Sequence, residues 1–154
     1  MNRSGSCQCG FVTYEIVGED SGLGICYCTE CQKVSTGIAT YSLAVPRDAF
    51  HLKSGNLKQW TRLADSGATN IAHFCPECGV RIFHEDPDTA GHIRVKAGTL
   101  DGASKLVPDV HVWTRSAPAW IQLPRDALLF QTQPDIATLI AAVKERHAQG
   151  LLCR

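Results

Sequence analysis

The sequence predicts a mainly β fold of small antiparallel sheets with a C-terminal α-helix, stapled by bound metal. Three observations lead there. Short runs rich in β-branched and aromatic residues recur between turn-forming residues. Only the last stretch of the chain carries an extended helical pattern. Seven of the eight cysteines fall in C-x-C or C-x-x-C spacings, the pattern of metal knuckles.

Taken in order, "FVTYEIV" (Phe11–Val17) reads as a strand that turns at Gly18, and "IATYSLAV" (Ile38–Val45) as one that stops at Pro46. "LKQWTRL", "NIAHF", "VRIFHE" and "HIRVKAGTL" follow as strands, separated by "DSGA", "CPECG" and "DPDTAG". Val110–Trp113 and Ala119–Leu123 are weaker strand candidates. A short helix is expected from about Thr29 to Val34, directly after Cys28. A longer one is expected over about 134–149, with Pro134 in its first turn and Gly150 as its stop. Ile136, Leu139, Ile140 and Val143 form its apolar face, which docks on the core, while Lys144, Arg146 and His147 make a solvated end. Repeats, low-complexity segments and linkers are lacking, so the chain 1–154 is expected to be a single domain.

Composition excludes several classes. An apolar fraction of 44% is ordinary for a globular protein and argues against pervasive disorder. Fifteen basic and fifteen acidic residues cancel, which removes the electrostatic footprint of a duplex-binding protein but is compatible with a local basic patch. The expected partners therefore include no nucleic acid. Apolar runs long enough to cross a bilayer are missing, and "MNRSGSCQCG" has no apolar signal core, so a soluble cytoplasmic protein is expected, without a membrane partner.

The cysteines form three groups. "CQCG" places Cys7 and Cys9 on one side of an extended segment, and "CPECG" is a turn-type knuckle around Cys75 and Cys78. Gly79 can take the positive φ that turns backbone N–H groups toward the sulfurs. Joined, the pairs make a closed four-thiolate zinc site that ties the N-terminus to the middle of the chain. "CYCTECQK" differs: Cys26, Cys28 and Cys31 run into a helical turn, where the free N–H groups favour thiolates and Lys33 adds positive charge. Three thiolates donate strongly and weaken a zinc ion as a Lewis acid, so the site suits a soft ligand such as an incoming thiol. Alternatively a distant residue closes it, with His73, His84, His92 and His111 as candidates; spacing alone does not fix which thiols share an ion. Cys153 is isolated near the end of the chain and is expected to do nothing specific.

Together, "GSCQCGFVTYEI", "CYCTECQK", "HFCPECGVRIF", "AGTLD" and "PDVHVWTRSAPAWI" resemble the glutathione-dependent formaldehyde-activating enzyme and centromere protein V family, over about Ser4 to Leu123. The resemblance implies a β-tent fold with two zinc ions per chain. It implies a structural zinc on Cys7, Cys9, Cys75 and Cys78, and a second, catalytic-type zinc on Cys26, Cys28 and Cys31. It further implies carbon–sulfur lyase activity on thiol adducts of small aldehydes, such as S-hydroxymethylglutathione, with glutathione and formaldehyde as small-molecule partners. A non-catalytic zinc-containing module that binds a thiol, an adduct or a protein is the alternative. Tyr27 departs from the histidine that the family often has there. On a strand it would point away from the metal, leaving the triad intact but changing the surroundings of the site. His111 and Trp113 are expected to share a strand face near the pocket or to pack in the core. Arg62, Arg81 and Arg94 are candidate partners for a carboxylate or solvated strand positions. Trp60 and Trp120 are read as packing residues, and Asp101 as a turn former.

Overall fold

The computed structural model describes residues 2–64, 67–88 and 91–150. In chain order its strands are β1 (Asn2–Ser6), β2 (Thr13–Val17), β3 (Gly22–Cys26), β4 (Thr40–Pro46), β5 (Phe50–Ser54), β6 (Lys58–Leu63), β7 (Thr69–Phe74), β8 (Arg81–Glu85), β9 (His92–Lys96), β10 (Val110–Val112) and β11 (Leu128–Leu129). The helices are α1 (Thr29–Ser35) and α2 (Ile136–Ala148). The fold is mainly β with a C-terminal helix, consistent with a β-tent. The chain divides into two compact units, Met1–Asp20 with Leu43–Ser104, and Ser21–Ser42 with Lys105–Arg154.

In the first unit β1, β2 and β5 form an antiparallel sheet, and β6, β7, β8 and β9 an antiparallel meander. The alternation in "TYEIV" turns Tyr14 and Ile16 into the core, where Tyr14 stacks on Phe50 at 4.9 Å and Phe50 meets Phe83 at 4.9 Å. Each such side chain contributes about 1.5–3 kcal/mol by leaving water. Strand β1, "NRSGS", has no apolar period and gives no strand signal in the sequence. It forms because β2 supplies its hydrogen bonds and because Gly5 lacks a Cβ, which would stand 2.5 Å from the Thr99 carbonyl oxygen. Asp101, expected only to turn the chain, also ties β1 down: its carboxylate accepts from Ser4 Oγ, and its N–H donates to the Ser4 carbonyl at 2.9 Å.

The second unit departs from an all-antiparallel arrangement, because β10 pairs in parallel with both β3 and β11. Strand β3, "GLGIC", is hidden in the sequence by glycines that read as breakers. The structure uses one of them for close approach: a Cβ on Gly22 would stand 2.7 Å from Val143 of α2. Val110, Val112 and Val143 centre the core of this unit, with Leu139, Leu128 and Phe130 against them.

Asp135 caps α2 by accepting from Thr138 N at 2.9 Å, so Pro134 precedes the helix and does not lie in its first turn. Leu139 and Val143 face the core as expected; the side chain of Ile136 lies outside the described set. The expected solvated end of α2 is instead docked. His147 Nε2 lies 3.1 Å and Arg146 Nε 3.9 Å from the buried carboxylate of Asp109. Residues Ala119–Leu123 are not a strand, and the strand role falls to Leu128–Leu129. Cys153 lies outside the described residues. Among the described residues no helix is long and apolar enough to cross a membrane.

Candidate metal centres

Two groups of side chains could hold a metal ion among the described residues, and each unit carries one. In the first unit Cys7, Cys9, Cys75 and Cys78 bring their sulfurs within 4.8 Å of one another. Two similar turns do this. The Gly10 N–H donates to the Cys7 carbonyl at 3.1 Å, and the Gly79 N–H donates to the Cys75 carbonyl at 2.9 Å. Gly10 and Gly79 take φ of 78° and 74°, the left-handed region in which a side chain would be strained. The Val12 N–H reaches Cys7 Sγ at 3.2 Å.

Sulfurs about 2.3 Å from a tetrahedral zinc stand about 3.8 Å apart. Cys7 Sγ lies 3.5 Å from Cys9 Sγ, and Cys9 Sγ lies 3.8 Å from Cys75 Sγ. The donors fit such an ion. Their surroundings favour ionisation unequally. The Val80 N–H draws the Cys78 thiol down to about 6. Cys9, although the Phe11 N–H favours its thiolate, is pushed up to about 12 by Cys7 and by burial.

In the second unit Cys26, Cys28 and Cys31 place their sulfurs within 4.8 Å of one another. Cys26 ends β3, fixed by its pairing with Val112 of β10. Cys28 is the N-cap of α1, with φ −60° and ψ 153°, and its sulfur accepts from the Cys31 N–H at 3.4 Å. Cys31 thereby sits in the first turn of α1, in line with the spacing. Hydrogen bonding with Cys28 and Cys31, together with burial, raises the Cys26 thiol far above its ordinary range. Three thiols this close cannot all ionise unless a cation compensates them, so this donor set also fits a metal. The Lys33 ammonium, largely exposed, lies 2.8 Å from Glu30.

No histidine, carboxylate or further cysteine joins this triad among the described residues. His73 is engaged by Glu85 at 2.6 Å, His84 is buried on β8, and His92 is exposed on β9. His111 is engaged through Nδ1, which lies 2.9 Å from the hydroxyl of Tyr27. Tyr27, between Cys26 and Cys28, is itself buried, with its ring 5.8 Å from that of His111. Burial lowers the pKa of the imidazole, and its Nε2 is buried with no protein partner. Trp113 does not share the strand face of His111: β10 ends at Val112, and Trp113 turns away with φ 59°. Gln32 is a site residue that the sequence does not single out. Its amide donates to the carbonyls of Tyr27 at 2.8 Å and Ser116 at 2.9 Å, fixing the chain between Cys26 and Cys28. A glutamine one turn into a helix gives no sequence signal for such a clamp.

Comparison with known proteins bears on the fold and the family. A solved structure, the crystal structure of a Rhodobacter sphaeroides protein studied as a structural genomics target, is similar in fold, with a TM-score of 0.51. It is 17% identical, and the match covers 82% of this chain and 98% of that one. No curated protein matches the chain. The family described as glutathione-dependent formaldehyde-activating enzyme matches residues 2–116, a span that includes all seven clustered cysteines. The chain belongs to the glutathione-dependent formaldehyde-activating enzyme family.

Proposed function

We propose that this protein is a zinc-dependent carbon–sulfur lyase-type enzyme acting on thiol adducts of small aldehydes, of which S-hydroxymethylglutathione is the type. The reading rests on family membership and is carried by one observation: a triad of sulfurs that no fourth described ligand completes. Cys7, Cys9, Cys75 and Cys78 would hold a structural zinc, and Cys26, Cys28 and Cys31 a second zinc. That second zinc would supply a position at which an incoming thiol is held as its thiolate. The chain's own residues shape the site. Cys28 caps α1 and presents the N–H of Cys31 to sulfur, Gln32 fixes the backbone of Tyr27, and Tyr27, between Cys26 and Cys28 in the chain, is buried against His111. In the forward direction a carbon–sulfur bond forms between thiol and aldehyde, and the thiol proton passes to the carbonyl oxygen. The lyase direction reverses both.

Exchange spectroscopy with glutathione and formaldehyde tests the proposal, in parallel with metal analysis. Wild-type protein is expected to hold two zinc ions and to accelerate exchange. Cys28→Ser keeps an oxygen acceptor for the cap of α1 but removes one thiolate. It is expected to hold one zinc, fold normally and lose the acceleration. No acceleration by wild-type protein would refute the enzyme reading and favour a binding module. Unfolding of the variant would make the second zinc structural.

A further inference from the structure

The meander β6–β9 buries Phe83, Ile93 and Val95 on one face, and the opposite face carries the charge. Register decides which residues share the second face. Trp60 pairs with Ala72, Ala72 with His84, and His84 with Arg94, so these four form a row across the strands. Alternation adds Lys58 and Arg62 on β6, Phe74 on β7 and Lys96 on β9. A register shift between His73 and Phe74 sets Arg81 opposite Phe74 and brings it onto the same face. Five cationic side chains therefore share the face: Lys58, Arg62, Arg81, Arg94 and Lys96. The one carboxylate on these strands, Glu85, pairs with Ile71 and Ile93 on the opposite face, where it engages His73 and Arg47. The whole chain has zero net charge, so this segregation is local.

Two polar atoms on the face are buried without a partner, Arg81 Nη1 and His84 Nε2. Arg81 is held by aromatic rings on either strand, its guanidinium 5.4 Å from Trp60 and 5.2 Å from Phe74. His84 is 8% exposed. Burial, with the charges of Lys96, Arg94, Arg81 and Arg62, holds its pKa down to about 2, so it is neutral and offers an N–H with no net charge. A fixed guanidinium with an unspent donor, beside a neutral imidazole whose Nε2–H tautomer supplies a second, beneath a concentration of positive charge, has the parts of an oxyanion site.

We propose that this face binds a compact, multiply charged oxyanion of the phosphate class, seated on Arg81 and His84 and enclosed by Arg62, Arg94 and Lys96. A dianion answers the accumulated charge better than one carboxylate does, and it has several oxygens with which to accept hydrogen bonds. Neither cysteine cluster contributes a group, so this proposal stands apart from the thiol chemistry.

The test uses the full-length zinc-loaded protein, with inorganic phosphate as the probe and sodium chloride of equal ionic strength as the control. Phosphate is expected to produce saturable shifts in the His84 imidazole nitrogen and Arg81 side-chain resonances, and chloride is not. Arg81→Gln is expected to weaken binding about tenfold or more, the worth of hydrogen bonds to a charged group. Arg62→Gln, on the edge strand β6, weakens it as well while leaving the packed strands alone. A second titration with a short oligothymidylate separates the sources of the phosphate group. Arg81-dependent binding with quenching of Trp60 assigns it to a nucleic acid backbone, and failure of the oligomer where phosphate succeeds assigns it to a small molecule. No saturable shift with either probe, or shifts that survive Arg81→Gln, overturns the proposal.

Discussion

Acidification should destabilise this protein through one identifiable ring. His84 is 8% exposed, with its pKa held at about 2 by burial and by the neighbouring cations, whereas an unfolded histidine titrates near 6.5. Between those values the unfolded chain binds a proton that the folded chain refuses. The unfolded state then carries more protons, so stability rises with pH and falls as pH is lowered through about 6.5. At pH 5 the unfolded ring is almost wholly protonated and the folded ring almost wholly neutral. The linkage relation gives a loss of about 2 kcal/mol between pH 7 and pH 5. That figure is insensitive to the folded value, because any folded pKa below about 4 leaves the ring neutral over the whole interval. Thiolate metal ligands also lose stability in acid, so the assay must be differential. Urea midpoints of wild type and His84→Gln, measured at pH 7, 6 and 5 without phosphate, isolate the ring. The variant should lose about 2 kcal/mol less than wild type over that range. Equal losses in the two proteins would refute the reasoning.

Two other substitutions probe the unit that carries the three-cysteine cluster. Tyr27→Phe removes the hydroxyl 2.9 Å from His111 Nδ1 and leaves both nitrogens of a buried ring unpartnered. Chemical unfolding should register a loss of about 1–2 kcal/mol, and no change would mean the pair is not formed. Asp109→Ala removes a buried carboxylate that accepts from the Leu23 N–H at 2.9 Å and meets Arg146 and His147 of α2. Breaking such a site costs about 3 kcal/mol or more, with faster amide exchange in α2. A loss below about 0.5 kcal/mol, typical of surface positions, would contradict the docking role.

Much of this is legible in the chain. The strands with β-branched and aromatic periodicity, from "TYEIV" to "HIRVK", lie where their pattern puts them, and the knuckle glycine Gly79 takes its expected φ of 74°. Two of the strands that no pattern announces share a physical cause. Asn2–Ser6 carries no apolar period and Gly22–Cys26 sets Leu23 and Ile25 between glycines, and their backbone groups are ordered by neighbours distant in sequence. Their glycines serve close approach to Tyr14 and Val143, which no local pattern reveals. The end of α2 is docked and not solvated for the same reason, since the partner of Arg146 and His147 is Asp109, far back along the chain.

The chain alone specifies which atoms can take part. Thiols in C-x-C and C-x-x-C spacing, ended by glycine or by a helix start, constrain sulfurs to converge locally, because a few backbone dihedrals fix their separation. The groupings came from folding: that Cys7 and Cys9 meet Cys75 and Cys78, that the triad gains no further described ligand, and that Tyr27 spends its hydroxyl on His111. Folding also set Arg62, Arg81 and Arg94, three unrelated arginines in the chain, with His84 on one sheet face. Strand register makes those neighbours, and register is set by pairing across the whole sheet, with one shifted residue at His73 and Phe74 choosing the face on which Arg81 stands.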